Sequence, residues 1–200
     1  IFEAVLLIGV AIPGYHMVKY DNLSDYSHSE LEVRIVAQQF AWNIHYPGAD
    51  GKFGMTRIDL VDEETNPLGL DRDGYGADDI TTVNQLHLPV NKQAKLYISS
   101  KDVIHGFSLP EMRVKQDAVP GMQIPIYFTP TMTTDEFLGK IKGTEREGMG
   151  YEIACAQLCG NSHYRMRGFM TIHSNEEFNQ WLSDEAEYLD SNGDDEWDEW

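Results

Sequence analysis

The chain has 200 residues, with 33 Asp or Glu against 15 Lys or Arg and a formal net charge of −18. That balance excludes a nucleic-acid partner, which would need a basic face. The length suits one globular domain of ordinary size with ends to spare.

Residues 1–18 are apolar apart from Glu3 and His16, but the unbroken apolar stretch is only residues 4–12. Crossing a bilayer takes about 20 residues. Taken alone the stretch reads as a buried helix or a signal remnant. With no initiator Met and no basic region ahead of it, the chain is expected to have been processed or to start inside a longer segment. A linker is expected over residues 21–30.

From Leu31 the pattern changes. Leu31, Val33, Ile35 and Ala37 alternate with polar or charged partners, and residues 85–90, 94–98 and 123–128 behave similarly, which predicts short strands. Turn signals stand between them at Pro47-Gly48, Asp50-Gly51, Pro67, Gly74, Gly76 and Pro120-Gly121. The expected fold class is mainly β, an antiparallel sandwich or Greek-key barrel. Residues 71–79 superficially resemble a calcium loop, but they lack the ligand spacing and closing glutamate of an EF-hand. They read as an acidic surface loop inserted between strands.

Residues 174–182 predict a short helix, with Ser174 as cap and Phe178, Trp181 and Leu182 on one face. Residues 183–200 are expected to form an acidic tail. Residues 174–200 hold eleven acids and no Lys or Arg, leaving 22 acids against 15 bases elsewhere. The tail reads as a solvated segment that maintains solubility, with Trp197 and Trp200 the only hint of docking.

The chemistry concentrates in Cys155-Ala-Gln157-Leu-Cys159-Gly-Asn-Ser-His163-Tyr-Arg-Met166, which carries the only two cysteines. A disulfide would leave His163 and Met166 without a role. A structural zinc site would draw on a second cysteine pair, and a redox pair would be spaced C-x-x-C. C-x-x-C-H is also absent, so any haem exchanging electrons with this chain sits on another polypeptide. Thiolates, a thioether and imidazole together favour copper over magnesium, calcium or manganese. A blue-copper site needs one thiolate, so the second points to two thiolates bridging two coppers. Each copper would add a histidine and a weak axial ligand, the Met166 sulfur on one and the Gln157 carbonyl on the other. One imidazole is still owed, from among His16, His28, His45, His87, His105 and His173. His105 is the best placed, where a strand end runs into a Gly- and Pro-punctuated loop. His45 and His87 read as surface or packing residues, and His173 lies in the closing strand.

Three blocks make the chain resemble subunit II of the haem-copper cytochrome c oxidases, which carries the binuclear CuA centre. They are Gln39-Phe-Ala-Trp42-Asn-Ile-His-Tyr46, then Asp102-Val-Ile-His105 with Lys115-Gln-Asp117-Ala-Val-Pro120-Gly121, and finally Gly150 through Met166. The resemblance implies that Cys155 and Cys159 bridge the coppers, His105 and His163 supply nitrogen, Met166 is one axial ligand and the Gln157 carbonyl the other. It implies a cupredoxin-like domain over residues 31–182. It makes residues 1–20 the end of a transmembrane helix, with Lys19 and Tyr20 near the interface. Two positions depart from the family pattern. Gln157 stands where a glutamate commonly helps bind magnesium, leaving magnesium open or dependent on a partner chain. Phe40 stands where many members have the first tryptophan of the aromatic segment. Phe40 and Trp42 are the residues expected where electrons arrive.

The function so implied is electron acceptance from a cytochrome c-type haem, either cytochrome c or a haem domain, and transfer to the haem of subunit I. That subunit would reduce oxygen to water and pump protons. The other partners implied are the remaining oxidase subunits and the bacterial inner membrane, with this domain on the periplasmic side. The acidic field would speed encounter with a basic haem protein. The alternatives are the CuA domain of another enzyme such as nitrous-oxide reductase, and a copper-storage or metallochaperone protein holding Cu(I).

Overall fold

A computed structural model describes residues 1–17 and 31–193. The expected linker, Lys19, Tyr20, His28, Trp197 and Trp200 lie outside the described residues. The chain divides into two units, residues 1–30 and 31–200.

In the first unit the backbone is helical through α1 (Phe2–Leu6), a wider π-type turn (Leu7–Ala11) and α2 (Ile12–His16), with Pro13 just after the π-type turn. Its apolar side chains, Phe2, Leu7, Ile8 and Val10 among them, are exposed. No helix among the described residues is long and apolar enough to cross a membrane.

The second unit is a sandwich of two five-stranded sheets. The first has the order β3 (Ile80–Val83), β2 (Ala41–Tyr46), β1 (Leu31–Gln38), β5 (Ala94–Ser100), β8 (Ile124–Phe128). The second has the order β4 (Gln85–Pro89), β10 (Arg167–His173), β9 (Tyr151–Cys155), β6 (His105–Leu109), β7 (Val114–Ala118). The strands expected from alternation are β1, β4, β5 and β8. The sheets are not purely antiparallel, because β1 pairs parallel to β5 and β10 parallel to β4. Alternation marks a strand and its buried face but carries no information about its neighbour's direction.

Val33, Ile35 and Ala37 of β1 are fully buried while the residues between them are partly exposed, the signature of a half-covered strand. They face Leu86, Leu88, Phe107, Leu109 and Ile153 in one core, where each large side chain contributes about 1.5–3 kcal/mol. β2 is different. Trp42, Ile44 and Tyr46 enter the core, and Asn43 and His45 on the other face are buried too. The segment after β2 folds back over that face: Phe53 lies 5.1 Å from the His45 ring and beneath the Arg34 guanidinium. Asp79, fully buried, bonds His45 Nε2 at 2.5 Å and accepts the N–H groups of Gly48 and Gly54. His45 is therefore not at the surface, and the last acid of the segment 71–79 is consumed by internal hydrogen bonds.

Two helices flank the sandwich. α3 (Thr134–Ile141) begins with a capping box between Thr133 and Glu136, a signal present in the sequence. α4 (Asn175–Gly193) starts with reciprocal Ser174 and Glu177 bonds as expected, but it runs eleven residues past Leu182. Glu, Ala and Leu in that stretch are helix formers. Trp181 docks the helix by stacking on His87 at 4.2 Å, and His87 Nδ1 meets His173 Nε2 at 2.8 Å.

Replacing Asp79 with Ala strands the His45 ring nitrogen, the buried Gly54 N–H and the half-buried Gly48 N–H, so urea unfolding should show a loss of about 3 kcal/mol. A loss below about 1 kcal/mol would remove Asp79 from this role. Burial, then His173, pushes His87 down to about 4; burial also lowers His173 and His45. Unfolded imidazoles titrate near 6.5, so the unfolded chain takes up protons first as pH falls. Stability from these rings is present above about pH 6.5 and lost toward about pH 4. The thermal midpoint should decline across that window, and His87→Phe, which keeps a ring against Trp181, should flatten the decline. An unchanged profile in the variant would exclude His87.

Candidate metal centre

The expected ligands converge at one end of the second sheet. β6 begins at His105 and its antiparallel neighbour β9 ends at Cys155, with Phe107 opposite Cys155, so the two residues share an edge. β10 returns beside β9 directly after Met166. The intervening loop is pinned to the strands by Ala156 N–H on the Gly106 carbonyl (2.8 Å) and Cys155 N–H on the Met166 carbonyl (3.2 Å). Gly106 eases that approach, since a Cβ there would lie only 3.0 Å from the Ala156 carbonyl carbon and the Gln157 nitrogen.

The Cys155 and Cys159 sulfurs are 3.7 Å apart and free. That is far beyond a disulfide bond of about 2.05 Å, yet both sulfurs can reach a common ion at metal–sulfur distances of about 2.3 Å. His105 Nδ1 stands 3.9 Å from Cys155 Sγ and 3.1 Å from Met166 Sδ; His163 Nδ1 is 3.6 Å from Cys159 Sγ. Met166 Sδ is 3.7 Å from Cys159 Sγ, and the Gln157 carbonyl is 3.1 Å from Cys155 Sγ. All six expected positions thus lie within one constellation. His105, Met166 and Cys159 are buried, Cys155 and His163 half-buried, and Gln157 exposed. His105, Cys155 and Cys159 also stand as a group able to hold a metal ion. Two thiols, a thioether and two imidazoles, with no carboxylate among them, fit copper by softness.

The tautomer of His105 follows from its partner. Its Nε2 lies 2.8 Å from Asp102 Oδ1, and an ionised carboxylate only accepts, so Nε2 carries the proton and Nδ1 is left with its lone pair toward the sulfurs. Although burial alone would raise the Asp102 pKa, hydrogen bonds from His105 and from the Gln39 and Val103 N–H groups bring it below the usual value. Asp102 and Gln39 stood within the family-like blocks without a role. Spacing shows that Asp102 precedes His105 by three residues, but not that its carboxylate turns back onto the ring.

Trp42 is fully buried, its ring edge-on to His105 at 6.2 Å and to Phe107 at 5.5 Å. It has no exposed surface of its own. The inward face of β2 carries it into the core. Phe40, one turn residue before the strand, is half-buried beside Gly160 of the cysteine loop.

A two-sheet β sandwich with a soft-ligand centre on strand-end loops is a cupredoxin-like metal domain. The family model for the periplasmic domain of cytochrome c oxidase subunit II matches residues 31–173, and the chain belongs to that family. The alternative cytochrome c oxidase subunit 2 of Bradyrhizobium diazoefficiens is 35% identical over 164 residues, 81% of this chain and 53% of that protein. The chain thus spans about half the length of that relative. The periplasmic domain of subunit II of cytochrome oxidase from Bradyrhizobium japonicum superposes with a TM-score of 0.54 at 26% identity, covering 81% of this chain and 97% of that one. A mixed-disulfide intermediate between a thioredoxin-like protein and subunit II of cytochrome c oxidase matches with a TM-score of 0.52 at 26% identity, covering 82% and 96%.

The two thiols are unequal. Burial, then the neighbouring Cys155 thiol, pushes Cys159 up to about 11, and Cys159 is only 4% exposed. In the metal-free, reduced chain, iodoacetamide at pH 8 should label Cys155 at least about tenfold faster than Cys159, read by peptide mass spectrometry. Equal rates would contradict this inequality.

Proposed function

We propose that this chain is the electron-accepting copper domain of subunit II of a respiratory cytochrome c oxidase, on the periplasmic side of the bacterial inner membrane. The observation that carries the reading is the pair of free thiols 3.7 Å apart, flanked by imidazole nitrogens at 3.6 and 3.9 Å and by the Met166 thioether. When bound, copper would supply a one-electron carrier. The residues that would hold it are Cys155 and Cys159 through their thiolates, His105 and His163 through Nδ1, and, more weakly, the Met166 thioether and the Gln157 carbonyl. Asp102 fixes the His105 ring, and strand-end anchoring keeps the ligands in place whether or not the site holds an extra electron. Such rigidity suits electron transfer better than reversible storage, where ligands must open to exchange metal.

The electron donor is a cytochrome c-type haem with a basic surface, drawn by an acidic chain of net charge −18. Phe40, against the cysteine loop, is the aromatic that meets the donor side, and Trp42 packs behind His105. The acceptor is the haem of subunit I, where oxygen is reduced and protons are pumped. Residues 1–17 belong to the end of a membrane anchor. Gln157 offers an amide in place of a carboxylate, so a magnesium ion at this surface would depend on the partner chain. Two thiols this close also oxidise readily to a disulfide, so a thioredoxin-like reductant, as in the related mixed disulfide, fits as a maturation partner.

Reconstituting the 200-residue chain with copper should give two coppers per chain sharing one unpaired electron, seen as seven hyperfine lines in the electron paramagnetic resonance spectrum. One copper with four lines, or no paramagnetic copper under mild oxidation, would sink the binuclear reading in favour of a blue-copper or storage role.

A further inference from the structure

We infer that Gln39 is a positioning residue of the metal centre, holding the cysteine loop and the His105 arm at a fixed separation. The inference rests on the copper reading above and assigns a role to a side chain that touches none of the ligand atoms.

Gln39 and Phe40 form the two-residue turn between β1 and β2, closed by the pairing of Gln38 with Ala41. From this one residue two hydrogen bonds diverge. The backbone N–H donates to Asp102 Oδ2 at 2.7 Å, while the other oxygen of that carboxylate receives His105 Nε2 at 2.8 Å. The side-chain Nε2 donates to the Cys159 carbonyl at 2.6 Å. Gln39 therefore connects, through Asp102 on one side and directly to the Cys159 backbone on the other, an imidazole and a thiol residue that lie far apart in sequence.

A second observation supports the contact. Gly160 has φ +141°, and a Cβ built there would lie 2.7 Å from Gln39 Nε2 and 3.0 Å from Phe40 Cζ. The loop backbone is thus pressed against the turn, with no side chain between them. Among the described residues, no other side-chain hydrogen bond ties residues 156–162 to the first sheet, which contributes no ligand of its own. The remaining backbone anchors of the loop run to the second sheet, through Gly106 and Met166. Without the Gln39 amide, the outer half of the loop, carrying Cys159, is held only from one side.

The test compares wild-type, Gln39→Met and Gln39→Glu in the copper-loaded 200-residue chain. Met keeps the length of the side chain without a donor; Glu sets an acceptor against the Cys159 carbonyl. Both keep the backbone bond to Asp102, so only the link to the loop changes. The expected result is an unchanged copper count, altered hyperfine spacing, and copper release to excess EDTA about 2- to 10-fold faster in Gln39→Met and faster again in Gln39→Glu. The metal-free thermal midpoint should move by no more than about 2 °C. Release rates and spectra equal to wild-type in both variants would overturn the inference, as would a large fall in the metal-free midpoint with wild-type spectra and release. A wild-type chain that binds one copper with four lines refutes the binuclear reading instead, and the release comparison still decides the role of Gln39.

Discussion

The antiparallel pairing of β6 with β9 is the constraint from which the metal centre follows. A strand that begins at His105 and a neighbour that ends at Cys155 put an imidazole and a thiol at the same edge of one sheet. Because β10 returns antiparallel to β9, Met166 comes back to that edge after an eleven-residue excursion from Cys155. The loop needs no regular structure of its own, since its ends are fixed 3.2 Å apart by the bond from Cys155 N–H to the Met166 carbonyl. Moving the β6–β9 register by one residue would turn His105 from the interior to the opposite face and dismantle the ligand set. The sandwich core enforces the register, because Phe107, Leu109 and Ile153 are fully buried on the same strands.

Burial shapes the chemistry as much as distance does. In the metal-free state Cys159 holds its proton well into the alkaline range, because a thiolate there would be desolvated and would face a second sulfur. Metal binding must displace that proton, which couples loading to pH and makes the more accessible Cys155 the natural first contact for a metal or a reductant. The His105 side is prepared in the opposite sense. Asp102 is kept ionised by hydrogen bonds and holds the ring in the one tautomer that presents Nδ1. The site is therefore half preorganised and half protected, with the pre-set imidazole buried and the reactive thiol near the surface.

How much of this the sequence discloses depends on the range of each interaction. The ligands within 155–166 are legible because their spacing is local and their chemistry is rare. His105 is legible by elimination and by family resemblance. The strands β1, β4, β5 and β8 are legible because one face is wet and alternation survives. β2 is less so, since the insertion ending at Asp79 covers its outer face and buries His45, which by pattern alone reads as a surface or a packing residue. Parallel pairing of β1 with β5 and the inward course of Trp42 are likewise long-range outcomes, decided by which strands share the core. The length of α4 is hard to read for another reason: its second half is acidic enough to resemble a solvated tail, though its Glu, Ala and Leu content favours a helix.

The division of labour between the sheets gives a final consequence. All side-chain ligands come from the second sheet and its loops, yet the first sheet sets the boundary against which the cysteine loop rests, through the β1–β2 turn at Gln39 and Phe40. The same turn continues into Trp42, whose ring abuts His105 from below. Lys101 adds a further strap, its backbone N–H on the Ala37 carbonyl and its ammonium on Gln38, just before the arm that carries Asp102 and His105. A redox centre with low reorganisation needs ligands that do not relax when charge changes. Here one loop is wedged between two sheets that are themselves locked by a common core, so the proposed metal centre would inherit the rigidity of the whole sandwich.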